Sequence, residues 1–356
     1  MLDKNKDISV WQTGIVMFVL MFANKIMVFP TTIKTDAKYE VFLVYLTLFA
    51  FEMGLLFLFW RVKLRHPNED FFDIVKHNCG KFFCTAISIL ICLYFFSKSV
   101  LLYNILHMFL RSVMYRKGAG VLFLVCILPV VNFLAQAGLR PMARTMQFFF
   151  PFIFLTFVLC LVIGSLERGD GIILYSLPFG KFASDVFRHI CAFGDSIVLF
   201  LFMNKINVKK KQFKTIFILT FLGMLITFGV CVVFILSYTY TAFLHPFAIF
   251  EMLSYIKEYE GLGRLDIIPA ILVMFLSIFQ LGVYFKCITL SIENVFPKVD
   301  GKDVLVVINI LFVLIVTFLI PNLSTTIWYA ENVLPFFAVV PFLLVPSSFI
   351  FWRRVQ

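Results

Sequence analysis

Charge is scarce in this sequence. Charged residues make up 14% of the 356 residues, whereas hydrophobic residues make up 62% and Phe alone occurs 48 times. A typical soluble domain has about 25% charged residues. A soluble chain of this length has too little charge to cover so much apolar surface. The composition therefore excludes an ordinary soluble protein and predicts a polytopic membrane protein.

The sequence also lacks the signatures of soluble enzymes and of disulfide-stapled domains. It contains no HExxH motif, no Walker A loop and no GxGxxG loop. Its 8 cysteines include no CxxC motif and no pair in the predicted outer loops, which argues against a disulfide staple or a metal site. We expect a chain that is not an enzyme, binds no metal and needs no cofactor.

Apolar runs follow one another along the whole chain. Each is about 18–25 residues long, enough to cross a bilayer as an α-helix. The sixth and ninth runs are short. The ten predicted spans cover residues 8–30, 39–60, 82–104, 120–137, 146–165, 188–204, 215–237, 267–290, 304–321 and 332–352. We expect an all-α polytopic membrane protein with a single membrane domain over residues 1–356.

The positions of Lys and Arg predict the orientation of these spans. An even number of spans places both termini on one side of the membrane, and the segments on that side carry more Lys and Arg than the opposite loops, including Lys209, Lys210 and Lys211. Because basic residues accumulate in cytoplasmic segments, both termini are expected to be cytoplasmic. The net charge of +11 then reflects topology and contact with anionic membrane lipids, not nucleic-acid binding.

Four charged residues, Lys25, Glu52, Lys98 and Asp195, interrupt apolar spans. An unpaired charge there costs a few kcal/mol at least, so it normally faces a partner, a cavity or a substrate. For Lys25 and Asp195 three interpretations stay open: contact with a ligand, an ion pair that joins spans one and six, and transfer of a coupling proton. For Glu52 and Lys98 we predict an intramembrane charge pair, with a proton or ion path as the alternative.

The ten spans divide into two sets of five, residues 8–165 and residues 188–352. An odd number of spans per set gives the sets opposite orientations, as in inverted repeats, whose first helices are often broken at mid-membrane. In the middle of spans one and six a small residue precedes a polar one. Unwound backbone at that depth offers N–H and C=O groups to a ligand. The predicted ligand-binding residues are Ala23, Asn24, Lys25, Phe193, Gly194 and Asp195.

Short motifs in a consistent order along the chain resemble those of one membrane family. Ile8-Ser9 and Gln12 resemble its IS..Q opening, and the segment from Pro67 to Gly80-Lys81 resembles its proline-to-GK loop. Further matching positions are Gly138, Ala143-Arg144, Gln147 and Pro151 before and within the fifth span, and Arg264-Leu265-Asp266 before the eighth. The chain thus resembles the spore germinant-receptor B-subunit family, within the amino acid–polyamine–organocation transporter superfamily.

This resemblance implies a LeuT-like fold of two inverted five-helix repeats, with a small nutrient, typically an amino acid, bound where spans one and six are broken. Family members act as nutrient sensors in the spore inner membrane, together with an A subunit and a lipoprotein C subunit. An amino-acid/cation symporter of the same fold, in the cell membrane, is the alternative, and a structural subunit without a ligand site is a third possibility. Ala23-Asn24-Lys25 stands where the family is expected to have a glycine at the break of the first span.

Overall fold

Helices make up nearly all of the part of the chain that the structure, a computed structural model, describes. That part comprises residues 8–32, 40–113, 120–165, 179–206, 212–238, 247, 250, 267–319 and 322–350. In chain order the helices are α1 (Val10–Thr32), α2 (Glu40–Arg65), α3 (Phe71–Cys79), α4 (Lys81–Val113), α5 (Gly120–Ala137), α6 (Leu139–Gly164), α7 (Phe179–His189), α8 (Ile197–Leu201), α9 (Phe213–Tyr238), α10 (Ile267–Val295), α11 (Gly301–Leu314), α12 (Leu323–Asn332), α13 (Leu334–Phe337) and α14 (Val345–Ile350).

Eight candidate membrane spans lie within the described residues, identified by helix length and apolar composition. They are provided by α1, α2, α4, α6, α9, α10, α11 with the π-helical turn that follows it, and the combined α12–α14 segment. The other two predicted spans correspond to the shorter apolar stretch Val125–Ala137 in α5 and to the interrupted segment that contains α8. The expectation of an all-α polytopic membrane protein is confirmed.

The sixth predicted span is broken, whereas the first is not. After α7, a short 3-10 turn (Ile190–Ala192) ends before Phe193, and helical structure resumes only with α8. In contrast, α1 runs from Val10 to Thr32 without interruption. The expected break at Ala23-Asn24-Lys25 is therefore wrong. Ala has the highest helix propensity of any residue, so position 23 lacks the glycine that would weaken the helix there.

The first and sixth spans run in opposite directions and are joined at one end. The Ile8 N–H group, just before α1, donates to the Lys205 carbonyl at 2.8 Å, and Ile8 forms an isolated β-bridge with Ile206. Near the other end of α1, Lys25 lies beside Asp195. Opposite directions for these two spans are what an inverted repeat requires, and the division into residues 8–165 and 188–352 remains a prediction.

A second contact closes the same end of the bundle. The buried Lys63, at the end of α2, donates to the Met203 carbonyl at 2.6 Å and also to the Pro67 carbonyl. Asp70 begins the amphipathic helix α3 by accepting from the Phe71 N–H group at 2.9 Å, and burial raises the pKa of Asp70. At this end, α2, the loop that follows it and the end of the sixth span are therefore held together.

Close helix packing places the first and third spans around the break. α1 packs mainly against α9, and α4 packs mainly against α10. The α1–α9 contact depends on a small residue, because a Cβ atom at Gly223 would lie 3.0 Å from the Phe18 carbonyl oxygen. Small residues at such crossings let helix backbones approach each other within a membrane. Both α1 and α4 also contact the interrupted sixth span, at Asp195.

Candidate functional site

Asp195, in the turn that precedes α8, is the centre of a buried polar cluster. Its side chain is fully buried. The Lys25 ammonium lies 2.7 Å from Asp195 Oδ2, the Lys98 ammonium binds Asp195 Oδ1, and the Tyr284 hydroxyl donates to Oδ1 at 2.7 Å. One carboxylate therefore joins three helices, α1, α4 and α10, to the broken span.

Lys25 reaches this carboxylate from an intact helix. Its ammonium also donates to the Leu20 carbonyl of α1 at 3.1 Å and lies 5.0 Å from the centre of the Phe193 ring. A cation over an aromatic face is attracted by the ring quadrupole. Ala23 is buried on the same helix, and the side chain of Asn24 lies outside the described part of the structure. Lys25 thus holds α1 against both Phe193 and Asp195.

Glu52 and Lys98 have different partners from those the sequence suggests. Lys98 pairs with Asp195, while Glu52 accepts from backbone and side-chain donors of the broken span. The predicted Glu52–Lys98 charge pair is corrected accordingly. The physical reason is the break itself, since its free N–H groups are donors that need an acceptor, which the Glu52 carboxylate provides and an ammonium group cannot.

The backbone groups released by the break are bonded by neighbouring spans. Glu52 of α2 accepts from the Gly194 N–H group and, through its other oxygen, from the Ser196 N–H group at 2.7 Å and the Ser196 hydroxyl at 2.6 Å. On α4, Tyr94 and Lys98 donate to the Phe193 carbonyl at 3.0 and 3.3 Å. Non-helical backbone at membrane depth requires such partners. The second and fourth helices therefore stabilise the unwound conformation.

Gly194 is the residue that permits the turn. Its φ angle is +89°, a region that costs other residues free energy. A Cβ atom would also lie 2.6 Å from the Tyr94 hydroxyl oxygen and 2.8 Å from Pro341 Cγ. Both the conformation and the surrounding space therefore require glycine at the break predicted for the sixth span.

The charges of the cluster balance. Lys25 and Lys98 supply two positive groups, while Glu52 and Asp195 supply two negative groups, and at most 2% of any of the four residues is exposed. A buried charge without a partner is very costly, so neutrality of the group is what allows it to exist. Within the described part of the chain, no group of three or more His, Cys, Asp and Glu residues is arranged to hold a metal ion.

Three polar residues of the site were not predicted from the sequence: Tyr94, Ser196 and Tyr284. Each resembles an ordinary polar residue in an apolar span, where hydroxyl groups commonly bond between helices. Spacing offered one signal, because Tyr94 lies four residues before Lys98 and therefore on the same helical face. The Tyr94 hydroxyl does accept from Lys98, at 3.3 Å.

One known protein family matches this chain over most of its length. A family model described as Spore_permease, spore germination protein, matches residues 7–326. The chain belongs to this family. Family membership makes it a germination-related membrane protein of the transporter or receptor type and not an enzyme, which confirms the resemblance inferred from the sequence.

Solved structures give the fold. The chain is similar to a structure of a Na⁺-coupled sialic acid symporter in its substrate-bound outward-open state, with 12% identity, a TM-score of 0.64, and coverage of 96% of this chain and 88% of that one. No curated protein matches the chain. At this identity the likeness establishes a LeuT-like transporter fold and nothing about the substrate.

Proposed function

We propose that the chain is the membrane subunit of a spore germinant receptor and that it binds a small nutrient, an amino acid, between Lys25 and Asp195. One observation carries the proposal: a buried, charge-balanced ion cluster lies at a helix break in a protein of the spore germination family. We further propose the spore inner membrane as its location, cytoplasmic termini, and A and C subunits as its partners. The first helix contributes a side chain, not the broken backbone expected from the sequence.

The charge balance indicates the chemical class of the ligand. Because the four buried charges already cancel, a ligand with a net charge would leave one charge uncompensated in a dry site. A zwitterionic amino acid avoids this cost. Its carboxylate replaces Asp195 as the partner of Lys25, and its ammonium replaces Lys25 as the partner of Asp195. Two ion pairs with the ligand then form, and one ion pair, between Lys25 and Asp195, opens.

Opening that ion pair also provides a signal. The 2.7 Å contact between Lys25 and Asp195 joins α1 to the break in the middle of the sixth span, and the Ile8–Lys205 contact joins the start of α1 to the end of that span. A ligand that enters between Lys25 and Asp195 increases their separation while the second contact persists. Partner subunits then sense a changed angle between the two spans. A ligand shifts such an equilibrium by its differential affinity for the two states.

The same cluster favours a sensor over a cation symporter. Asp195 accepts from two ammonium groups and one hydroxyl group, and the Phe193 carbonyl accepts from Lys98 and Tyr94. Cation coupling requires oxygen atoms that a metal cation can reach. Here the lysine ammonium groups already fill these positions. Nutrient recognition by this cluster therefore does not need a coupling metal cation.

A charge-balanced double variant tests the proposal. The double variant Lys25→Met/Asp195→Asn removes one positive and one negative group together, so the remaining charges of Lys98 and Glu52 still cancel. Spores that carry this variant are compared with wild-type spores across the twenty standard amino acids by following the fall in optical density. We expect wild-type spores to respond to at least one amino acid, and the double variant to lose that response while immunoblots still detect it in the spore membrane.

A surface variant serves as the matched control. Glu69→Gln also removes a carboxylate that contacts a basic side chain, but Glu69 is exposed and lies 2.9 Å from His66 Nδ1 in the segment between α2 and α3. Its response should equal that of the wild type. A normal response of Lys25→Met/Asp195→Asn would overturn the proposed site. Deletion of the gene without effect on any nutrient response would overturn the receptor function itself.

A further inference from the structure

One polar atom next to the cluster has no partner. Gln280 of α10 is fully buried, and its Nε2 group donates to the Tyr284 hydroxyl at 2.5 Å. Its side-chain oxygen, Oε1, has no hydrogen-bond partner among the described residues. Buried acceptors are nearly always bonded, so an isolated one calls for an explanation.

The orientation of this amide follows from the hydrogen bonds around it. The Tyr284 hydroxyl has a single hydrogen, and it donates that hydrogen to Asp195. The same hydroxyl oxygen can then only accept from Gln280, so the amide must present Nε2 to it. Oε1 is thereby directed away from Tyr284. Asp195 therefore determines, through Tyr284, the direction in which Gln280 Oε1 points.

Gln280, which carries this acceptor, lies on the face of α10 that meets α1 and the broken span. Ser277, Gln280 and Tyr284 are spaced three and four residues apart and therefore share one helical face. Ser277 contacts Met27 of α1 at 3.6 Å, and Tyr284 contacts Asp195. Gln280 lies between Ser277 and Tyr284 on α10, and Met27 lies two residues beyond Lys25 on α1.

We propose that Gln280 Oε1 accepts a hydrogen bond from the ammonium group of the bound amino acid and so selects ligands with an N–H donor. The inference rests on the proposed function and adds a recognition residue on α10. The ammonium then has two acceptors, Asp195 for its charge and Gln280 for its direction. A ligand that lacks a donor at this position leaves Oε1 unbonded and loses affinity.

The test is ligand binding to the purified full-length protein in detergent. The twenty standard amino acids are first screened for an increase in the thermal midpoint of the wild type. The amino acid that stabilises most is then titrated against wild type, Gln280→Leu and Asn309→Leu. We expect Gln280→Leu to weaken its binding about tenfold or more, because the ammonium loses one buried acceptor.

Asn309→Leu is the matched control. Asn309 also has a buried amide oxygen without a partner among the described residues, and its Nδ2 group donates to Asn132 at 3.0 Å, outside the cluster. The substitution thus makes the same chemical change elsewhere and should leave binding unchanged. If an amino acid binds wild type and Gln280→Leu with equal affinity, the role of Gln280 is overturned and the proposed function is not. If no amino acid stabilises the wild type, the proposed function fails as well.

Discussion

The first and sixth spans face each other with a buried charge on each, yet only one of them is broken. Lys25 lies on α1, which is helical from Val10 to Thr32. Asp195 lies in a turn between a short 3-10 segment and α8. A buried charge is therefore not enough to unwind a helix within the membrane.

Two features accompany the break and are missing from the first span. Gly194 adopts a positive φ angle, whereas Ala23 occupies the corresponding place on α1. In addition, Glu52, Tyr94 and Lys98 bond the backbone groups that the break releases. The long Lys25 side chain also reaches its partner without any movement of its own backbone. A break at this depth thus requires both a glycine and external partners.

Removal of the central carboxylate should have the largest effect. Asp195→Asn leaves two buried ammonium groups, those of Lys25 and Lys98, and only one buried carboxylate, that of Glu52. We expect the free energy of unfolding in detergent to fall by about 3–5 kcal/mol. Thermal or denaturant unfolding of the purified protein measures this. Because Lys25→Met restores charge balance, the double variant should recover about 0.5–3 kcal/mol relative to the sum of the single effects. Additive effects would contradict the coupling.

Substitution of the glycine at the break should have the next largest effect. Gly194→Ala places a Cβ atom against Tyr94 and Pro341 at a positive φ angle, and we expect a loss of about 1–3 kcal/mol. Gly54→Ala is the control, since Gly54 lies in α2 with nothing within 4 Å of an added Cβ. There the change should stabilise the helix by about 0.5–1 kcal/mol. Equal unfolding midpoints for the two variants would refute the role assigned to Gly194.

The smallest effect tests whether glycine alone can break the first span. Ala23→Gly introduces the residue expected from the family, but α2 and α4 direct their polar groups to the sixth span. We expect α1 to remain helical at a cost of about 0.5–1 kcal/mol. Hydrogen exchange of the amides from Ala23 to Met27 measures this. Loss of protection comparable to that of the Gly194 turn would show that glycine is sufficient.

The sequence predicted the parts of the site that depend on composition and local pattern. Lys25, Glu52, Lys98 and Asp195 could be recognised because charge is rare within apolar spans, and the break at Gly194 because glycine precedes a charge there. The length and number of apolar runs likewise predicted a polytopic helical fold, which the structure and the family confirm.

The pairing of these residues could not be predicted. Which ammonium meets which carboxylate depends on how α2, α4 and α10 cross the broken span, and no spacing within one helix encodes that. Side-chain charges alone predict a pair of Glu52 with Lys98, whereas the partners of Glu52 are mainly backbone N–H groups. The sequence does not distinguish Tyr284 and Gln280 as site residues, because hydroxyl and amide groups are common within membrane helices.

The site between Lys25 and Asp195 is best tested by a structure of the protein with its stabilising amino acid bound. We expect density for the amino acid between Lys25 and Asp195, with Nζ and Oδ2 separated well beyond their present 2.7 Å and the contact between Ile8 and Lys205 retained. An intact Lys25–Asp195 ion pair with the amino acid bound elsewhere would contradict it.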